Sequence, residues 1–189
     1  MIKIINNILR KFGYLICNYD TNARGVSGKE LDFLIEHTPN GKIVMEIGCG
    51  YGQTTKRFAD KGNIVYAIDP FLNEENSKKL MGKNVNKIAR EFINNIKEKK
   101  VIYFPLKSFD TLFLFERLNL PKIDFLFIDG EHSYKALEID TKWIDYVKKD
   151  GLIAFHDSSC EEVNKYLTEH IFPKYKFIGS MFSLFIFQK

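Results

Sequence analysis

The residues best suited to chemistry fall in five short clusters, each placed directly after an apolar stretch. They are Glu46-Ile-Gly48-Cys49-Gly50-Tyr51-Gly52, Asp69-Pro70, Lys107-Ser108, Asp129-Gly130-Glu131-His132 and His156-Asp157-Ser158. Three alternating glycines let a backbone turn sharply and approach a ligand that a Cβ would block. A helix starting straight after them presents free N–H groups. The spacing departs from the dinucleotide fingerprint G-x-G-x-x-G/A, since Gln53 stands where its third glycine belongs. Asp69 follows Gly48 by 21 residues, where an acid can accept hydrogen bonds from both hydroxyls of a ribose.

The last two clusters carry acids and histidines. If they close neighbouring parallel strands, about 4.8 Å apart, then Asp129, Glu131 and Asp157 can share one divalent ion. Hard oxygen ligands suit Mg²⁺ or Mn²⁺, and such an ion lowers the pKa of a hydroxyl it holds. His132 and His156 flank the same place, and imidazole titrates near working pH, so either can take a proton from a poor hydroxyl nucleophile. His132 is expected at a helix start, where the dipole favours its neutral form.

These clusters need a parallel sheet behind them. Ile43–Ile47, Asn63–Ile68, Val101–Pro105, Ile123–Ile128 and Leu152–Phe155 read as continuous apolar strands. Helical patterns intervene: Gln53–Lys61, a polar stretch to Lys100 broken near Gly82, Phe109–Leu118 and His132–Lys149. In the last of these Asp140 and Trp143 share a side, with Asp140 expected to find a backbone or basic partner. Ser27 can cap a helix through Ile35 that stops at Pro39-Asn-Gly41. Lys174–Ile178 and Met181–Phe187 read as a terminal antiparallel hairpin turning at Gly179-Ser180. The fold class is α/β, a Rossmann-like three-layer sandwich with a mostly parallel seven-stranded sheet and a carboxyl-terminal antiparallel hairpin.

The stretches Val44–Gly52 and Ala67-Ile-Asp69-Pro70 resemble the first two motifs of class I S-adenosylmethionine-dependent methyltransferases. The run Ile123–Tyr134, continuing through Asp140 and Trp143 to Gly151–Ser158, is similar to small methyltransferases grouped with sugar O-methyltransferases, and the likeness extends from about Glu30 to Phe187. It implies that the loop Gly48-Cys49-Gly50-Tyr51-Gly52 approaches the methionine and ribose of S-adenosylmethionine, and that Asp69 binds the diol. It further implies that Pro70 or Phe71 flanks the adenine, that Lys107-Ser108 contacts its ring, and that Glu46 orders the loop. Asp129 is counted with the cofactor, catalytic and metal residues. Metal-dependent relatives carry an acid or amide after the second Asp, where this chain has Ser158.

Residues 1–28 are taken as an amino-terminal helix and lid segment, and 29–189 as the methyltransferase domain. Ile4, Ile5, Ile8, Leu9 and Phe12 follow helical spacing, which suits packing on the domain or, alternatively, a membrane surface. The whole chain has 189 residues and a net charge of +4, with bases and acids interleaved; that argues for one domain and against nucleic acid. Cys17, Cys49 and Cys160 lack metal-type spacing, and their odd number fits a reducing cytoplasm. No apolar run reaches the length of a bilayer span, so no stable membrane insertion is expected. The acceptor is expected to be a small molecule, with a homodimer open as the oligomeric state. The competing functions are a SAM- or nucleotide-binding protein without activity and an NAD-dependent dehydrogenase.

Overall fold

A computed structural model describes residues 26–70 and 85–189. The expected amino-terminal helix, most of the lid segment, Phe71 and the break near Gly82 lie outside these residues. Along the chain the elements are α1 (Gly28–His37), β1 (Ile43–Ile47), α2 (Gln53–Asp60), β2 (Ile64–Ile68), α3 (Val85–Ile96), β3 (Val101–Phe104) and α4 (Ser108–Arg117). They continue with β4 (Ile123–Ile128), α5 (Tyr134–Asp140), a 3₁₀ turn (Thr141–Tyr146), β5 (Val147–Phe155), α6 (Glu161–Tyr166), a π turn (Leu167–Ile171), β6 (Lys176–Met181) and β7 (Leu184–Gln188).

The seven strands form one sheet in the order β3-β2-β1-β4-β5-β7-β6. Strands β1 to β5 run parallel, and β7 is antiparallel to both of its neighbours. Because strand side chains alternate, each strand feeds two cores. Val44, Phe125, Phe127 and Ala154 pack with Leu34 of α1 and Phe58 of α2. Met45, Ile47, Leu126, Ile128 and Phe155 face Phe115, Leu137, Trp143, Val163 and Leu167 on the opposite side. This is the three-layer sandwich expected from the apolar strands, since a sheet covered on both faces leaves no polar side.

Two local expectations change. The helix expected over His132–Lys149 is only seven residues long, and gives way to the 3₁₀ turn and then to β5, nine residues rather than four. Trp143 and Ile144 are buried from the 3₁₀ turn, and Val147 pairs with Ile123; apolar spacing of three or four residues suits either arrangement. The hairpin turns at Phe182-Ser183, not Gly179-Ser180, because Met181 pairs with Leu184. Gly179 lies within β6, where an added Cβ would stand 3.3 Å from the Phe33 ring of α1.

Candidate functional site

Strand register brings the clusters into one row. Ile68, Ile47 and Ile128 are paired in succession, and Ile128 pairs with Phe155. The next residue of each strand therefore stands at the carboxyl edge: Asp69, Gly48, Asp129 and His156. Their N–H groups extend the ladder by one step, from Gly48 to Ile68 O (2.8 Å), Asp129 to Ile47 O (2.9 Å) and His156 to Ile128 O (3.1 Å). Four sequence clusters thus meet because their strands end together, in the crevice where open α/β sheets hold ligands.

The glycine loop is shaped by contact with its surroundings. Gly48 has φ +87, and a Cβ there would lie 2.1 Å from the Asp129 carbonyl oxygen. Gly52, φ +76, packs its Cα against Phe92, which a Cβ would approach to 2.7 Å. Gly50 borders open space, and its N–H donates to Asp69 Oδ2 at 2.9 Å. The Tyr103 hydroxyl donates to the Asp69 carbonyl at 2.7 Å. A carboxylate held at the rim beside bare backbone fits a diol-bearing ligand. Cys49 is buried with Ala67 and Phe92, and the Tyr51 carbonyl accepts from Asn95. Lys107 caps α4. Ser108 Oγ accepts from Trp143 Nε1 at 2.9 Å, and its hydroxyl holds the buried Asp140 carboxyl. Burial lifts Asp140 to about 6, and the partner that opposes the rise is the Ser108 hydroxyl rather than the backbone or basic group expected.

Glu46 is 1% exposed. Burial raises its pKa to about 8; the Thr55 hydroxyl bonded to it opposes the rise, and Asp129 and Asp69 add to it. Its protonated form is therefore favoured near neutral pH, and the Thr55 hydroxyl ties it to α2, the helix that follows the loop.

The acid–histidine cluster is compact. His156 Nδ1 lies 3.0 Å from Asp129 Oδ1 and 3.1 Å from Asp157 Oδ2, and its Nε2 lies 3.6 Å from Glu30 Oε2. Burial opposes a charge on His156, but the hydrogen bonds to Asp129 and Asp157 and the nearby Glu30 carboxylate outweigh it and lift the ring to about 12. His132 Nε2 stands 2.9 Å from Asp157 Oδ2, and its side chain remains 46% exposed. The bond to Asp157 raises the pKa of His132 against the effect of burial, and bonds from both histidines depress Asp157. Burial raises that of Asp129. Asp157 has φ +54, a left-handed conformation that Asp tolerates better than most residues; such strain concentrates at functional positions.

Two expectations for this cluster fail. His132 precedes the helix, which starts at Tyr134 with Ser133 as its cap; the carboxylate, not the helix dipole, governs its proton, and in the opposite direction. Glu131 is exposed and accepts from Ser133 Oγ at 2.9 Å, away from the shared space. Asp129, His156 and Asp157 have ligand-type atoms within 4.8 Å of one another, so the groups that lie together are one imidazole and two carboxylates rather than the three carboxylates expected. The all-oxygen set expected for Mg²⁺ or Mn²⁺ does not fit these residues. Sequence reasoning missed Glu30. Its spacing from Ser27 is that of a capping box, a signal that was present, but nothing in the sequence places it against His156.

A parallel sheet with an antiparallel terminal hairpin, and a glycine loop and acid at the first two strand ends, define the class I S-adenosylmethionine-dependent methyltransferases. This chain belongs to the methyltransferase-domain family, whose model matches residues 45–158, more than half of the sequence, and the NAD-dependent dehydrogenase is thereby set aside. No curated protein matches the chain. An O-methyltransferase from Bacillus cereus in complex with SAH is similar in structure at TM-score 0.63 and 16% identity, with 100% of each chain covered. A TDP-rhamnose 3'-O-methyltransferase of calicheamicin biosynthesis gives TM-score 0.56 and 12% identity over 85% of this chain and 76% of that one. An rRNA methylase from Streptococcus thermophilus gives 0.59 and 14% over 89% and 98%. At these identities the likeness is one of fold. No helix among the described residues is long and apolar enough to cross a membrane.

Proposed function

We propose that this protein transfers the methyl group of S-adenosylmethionine to a hydroxyl oxygen of a small, sugar-containing acceptor. When bound, the cofactor supplies an electrophilic methyl on a sulfonium sulfur. On this reading the Gly48–Gly52 backbone lies along its methionine and ribose, Asp69 takes the diol, and Pro70, Lys107 and Ser108 border the adenine. Asp129 and the charged His156 form the wall between cofactor and acceptor. His132 accepts the acceptor's proton, and Asp157 orients the ring and balances the imidazolium that results. Positioning the oxygen in line with methyl and sulfur contributes most of the rate, and the base adds roughly 10²- to 10⁴-fold.

The observation that carries this reading is the half-exposed His132 held 2.9 Å from Asp157, in the cluster whose Asp129 backbone abuts Gly48 of the glycine loop. A base must reach solvent-delivered substrate and still be oriented, and His132 meets both conditions where the buried His156 meets only the second. No divalent ion has a step in this scheme.

The test is thermal unfolding with excess S-adenosylhomocysteine, NADH as control, followed by methyl transfer to nucleotide-linked sugars and to an rRNA fragment, with and without EDTA. Ligand at about 100 times its Kd adds about 2.7 kcal/mol and raises the midpoint by several degrees. The expected result is a shift with S-adenosylhomocysteine alone and EDTA-resistant methylation of a sugar hydroxyl. Methylation of the RNA instead would replace the acceptor class. A cofactor shift with no transfer to any acceptor would favour the inactive binding protein.

A further inference from the structure

Glu30 is a carboxylate in an unexpected place. It lies in the first turn of α1, where a capping glutamate ordinarily faces water, yet it is 4% exposed. Its Oε2 accepts from the Ser27 N–H at 3.1 Å, which accounts for one oxygen as half of a capping box. Its Oε1 accepts both the N–H of Ser183, at 2.9 Å, and the Ser183 hydroxyl, at 2.7 Å. Ser183 belongs to the β6–β7 turn, and its carbonyl accepts from the Ser158 N–H at 2.9 Å. The hairpin turn therefore joins α1 to the loop that follows Asp157.

Three donors fix the carboxylate so that Oε2 faces His156 Nε2 at 3.6 Å. That is too long for a hydrogen bond, and among the described residues His156 Nε2 has no hydrogen-bond partner; the pairing is ionic. The ring is thus bracketed, with Asp129 and Asp157 at Nδ1 and Glu30 at Nε2. Burial opposes the charge on Glu30, but His156, Ser27 and Ser183 outweigh it and hold the acid at about 2. A buried carboxylate costs far more than an exposed cap contributes, so capping alone does not explain its position.

We infer that Glu30 is a positioning residue for methyl transfer: held by Ser27 and the hairpin turn, it fixes the His156 ring from the side opposite Asp129 and Asp157. Glu30 and Ser183 both lie outside the family match at residues 45–158. The wall of the site is completed by a helix before the sheet and a turn near its end. With Glu30 in place the ring cannot swing away from Asp157, and Asp157 in turn holds His132. The kinetic consequence rests on the methyl-transfer reading; the bracketing of His156 does not.

The experiment compares wild type, Glu30→Gln and Thr38→Ala. Thr38 ends the same helix, donating its hydroxyl to Leu34 O at 2.7 Å, and does not touch Glu30. Long-range proton–nitrogen NMR spectra of the histidine rings at pH 7 are expected to show His156 with two protonated nitrogens in wild type and Thr38→Ala. Glu30→Gln should move and broaden those signals. With any hydroxyl acceptor that wild type methylates, Glu30→Gln should lower kcat roughly tenfold to a hundredfold and leave KM for S-adenosylmethionine unchanged. An unaltered His156 signal in Glu30→Gln, or the same change in Thr38→Ala, would overturn the positioning role. Should Glu30→Gln fail to fold, Ser183→Ala, which removes one donor to Oε1, must produce a smaller change of the same kind. Absence of turnover in wild type would count against methyl transfer, and the spectra would still decide the role of Glu30.

Discussion

Between Gly48 and Asp69 the site is shaped by main chain, whereas between Asp129 and Asp157 it is shaped by charged side chains. In the first region glycines allow close approach, and one acid at the rim accepts a backbone N–H. In the second, two histidines and three carboxylates from α1 and the ends of β4 and β5 hold one another through hydrogen bonds and ion contacts. Gly48 and Gly52 leave no room for a Cβ, while a change of charge in the ionic cluster alters how its side chains are held and protonated and leaves the backbone loop in place. Variants in the two regions should therefore fail differently.

The largest effect is expected in the backbone region. Gly48→Ala combines a positive φ with a Cβ 2.1 Å from a carbonyl oxygen, so either β1 or the Asp129 turn must move. The variant should lose S-adenosylhomocysteine binding altogether, read by calorimetry, and unfold at a much lower temperature. Wild-type binding would mean that the loop can rearrange freely and that its shape is not what holds the cofactor.

Next comes the ionic region. Asp157→Asn keeps a residue that tolerates the left-handed backbone but removes the charge that His132 and His156 share. Turnover should fall by at least about 10²-fold, and S-adenosylhomocysteine affinity should stay unchanged. A parallel loss of cofactor affinity would erase the contrast between the regions.

A smaller effect follows from the His132–Asp157 pair. Asp157 raises the pKa of His132 above its ordinary 6.5, so the basic form appears as pH rises through that raised value. The rate should climb with pH to a midpoint above 6.5, and Asp157→Asn should move the midpoint down. The stabilisation from this pair runs the other way: it is complete at low pH and lost as pH rises through the raised pKa. A rate without pH dependence between 6 and 9 would remove His132 as the base.

The same contrast explains what could be read in the sequence. The glycine loop and Asp69 lie within one strand–helix–strand unit, so spacing alone placed them together. Asp129, His156 and Asp157 were legible because apolar strands of similar length end at them. Glu30 was not, because it meets His156 only through the packing of α1 beside a hairpin more than a hundred residues away. Glu131 misled for the opposite reason: it is adjacent in sequence to Asp129 and His132, but after a strand ends there is no alternation to direct its side chain. The turn at Phe182-Ser183 was hidden because Gly179 and Ser180 offered better turn chemistry, while tertiary packing against Phe33 used that glycine inside a strand.

The smallest expected effect lies beneath the loop. Burial, with Asp129 and Asp69 adding to it, raises Glu46 from 4.5 to about 8. The unfolded chain releases this proton near 4.5 and the folded chain only near 8, so stability is greatest below the lower value and falls as pH rises through the upper one. Glu46→Gln preserves an oxygen for the Thr55 hydroxyl and cannot ionise. The two proteins should melt at nearly the same temperature at pH 5, and the variant should melt a few degrees higher at pH 8. Equal destabilisation at both values would mean that the ionised carboxylate itself orders the loop, and the backbone region would then depend on charge as the ionic one does.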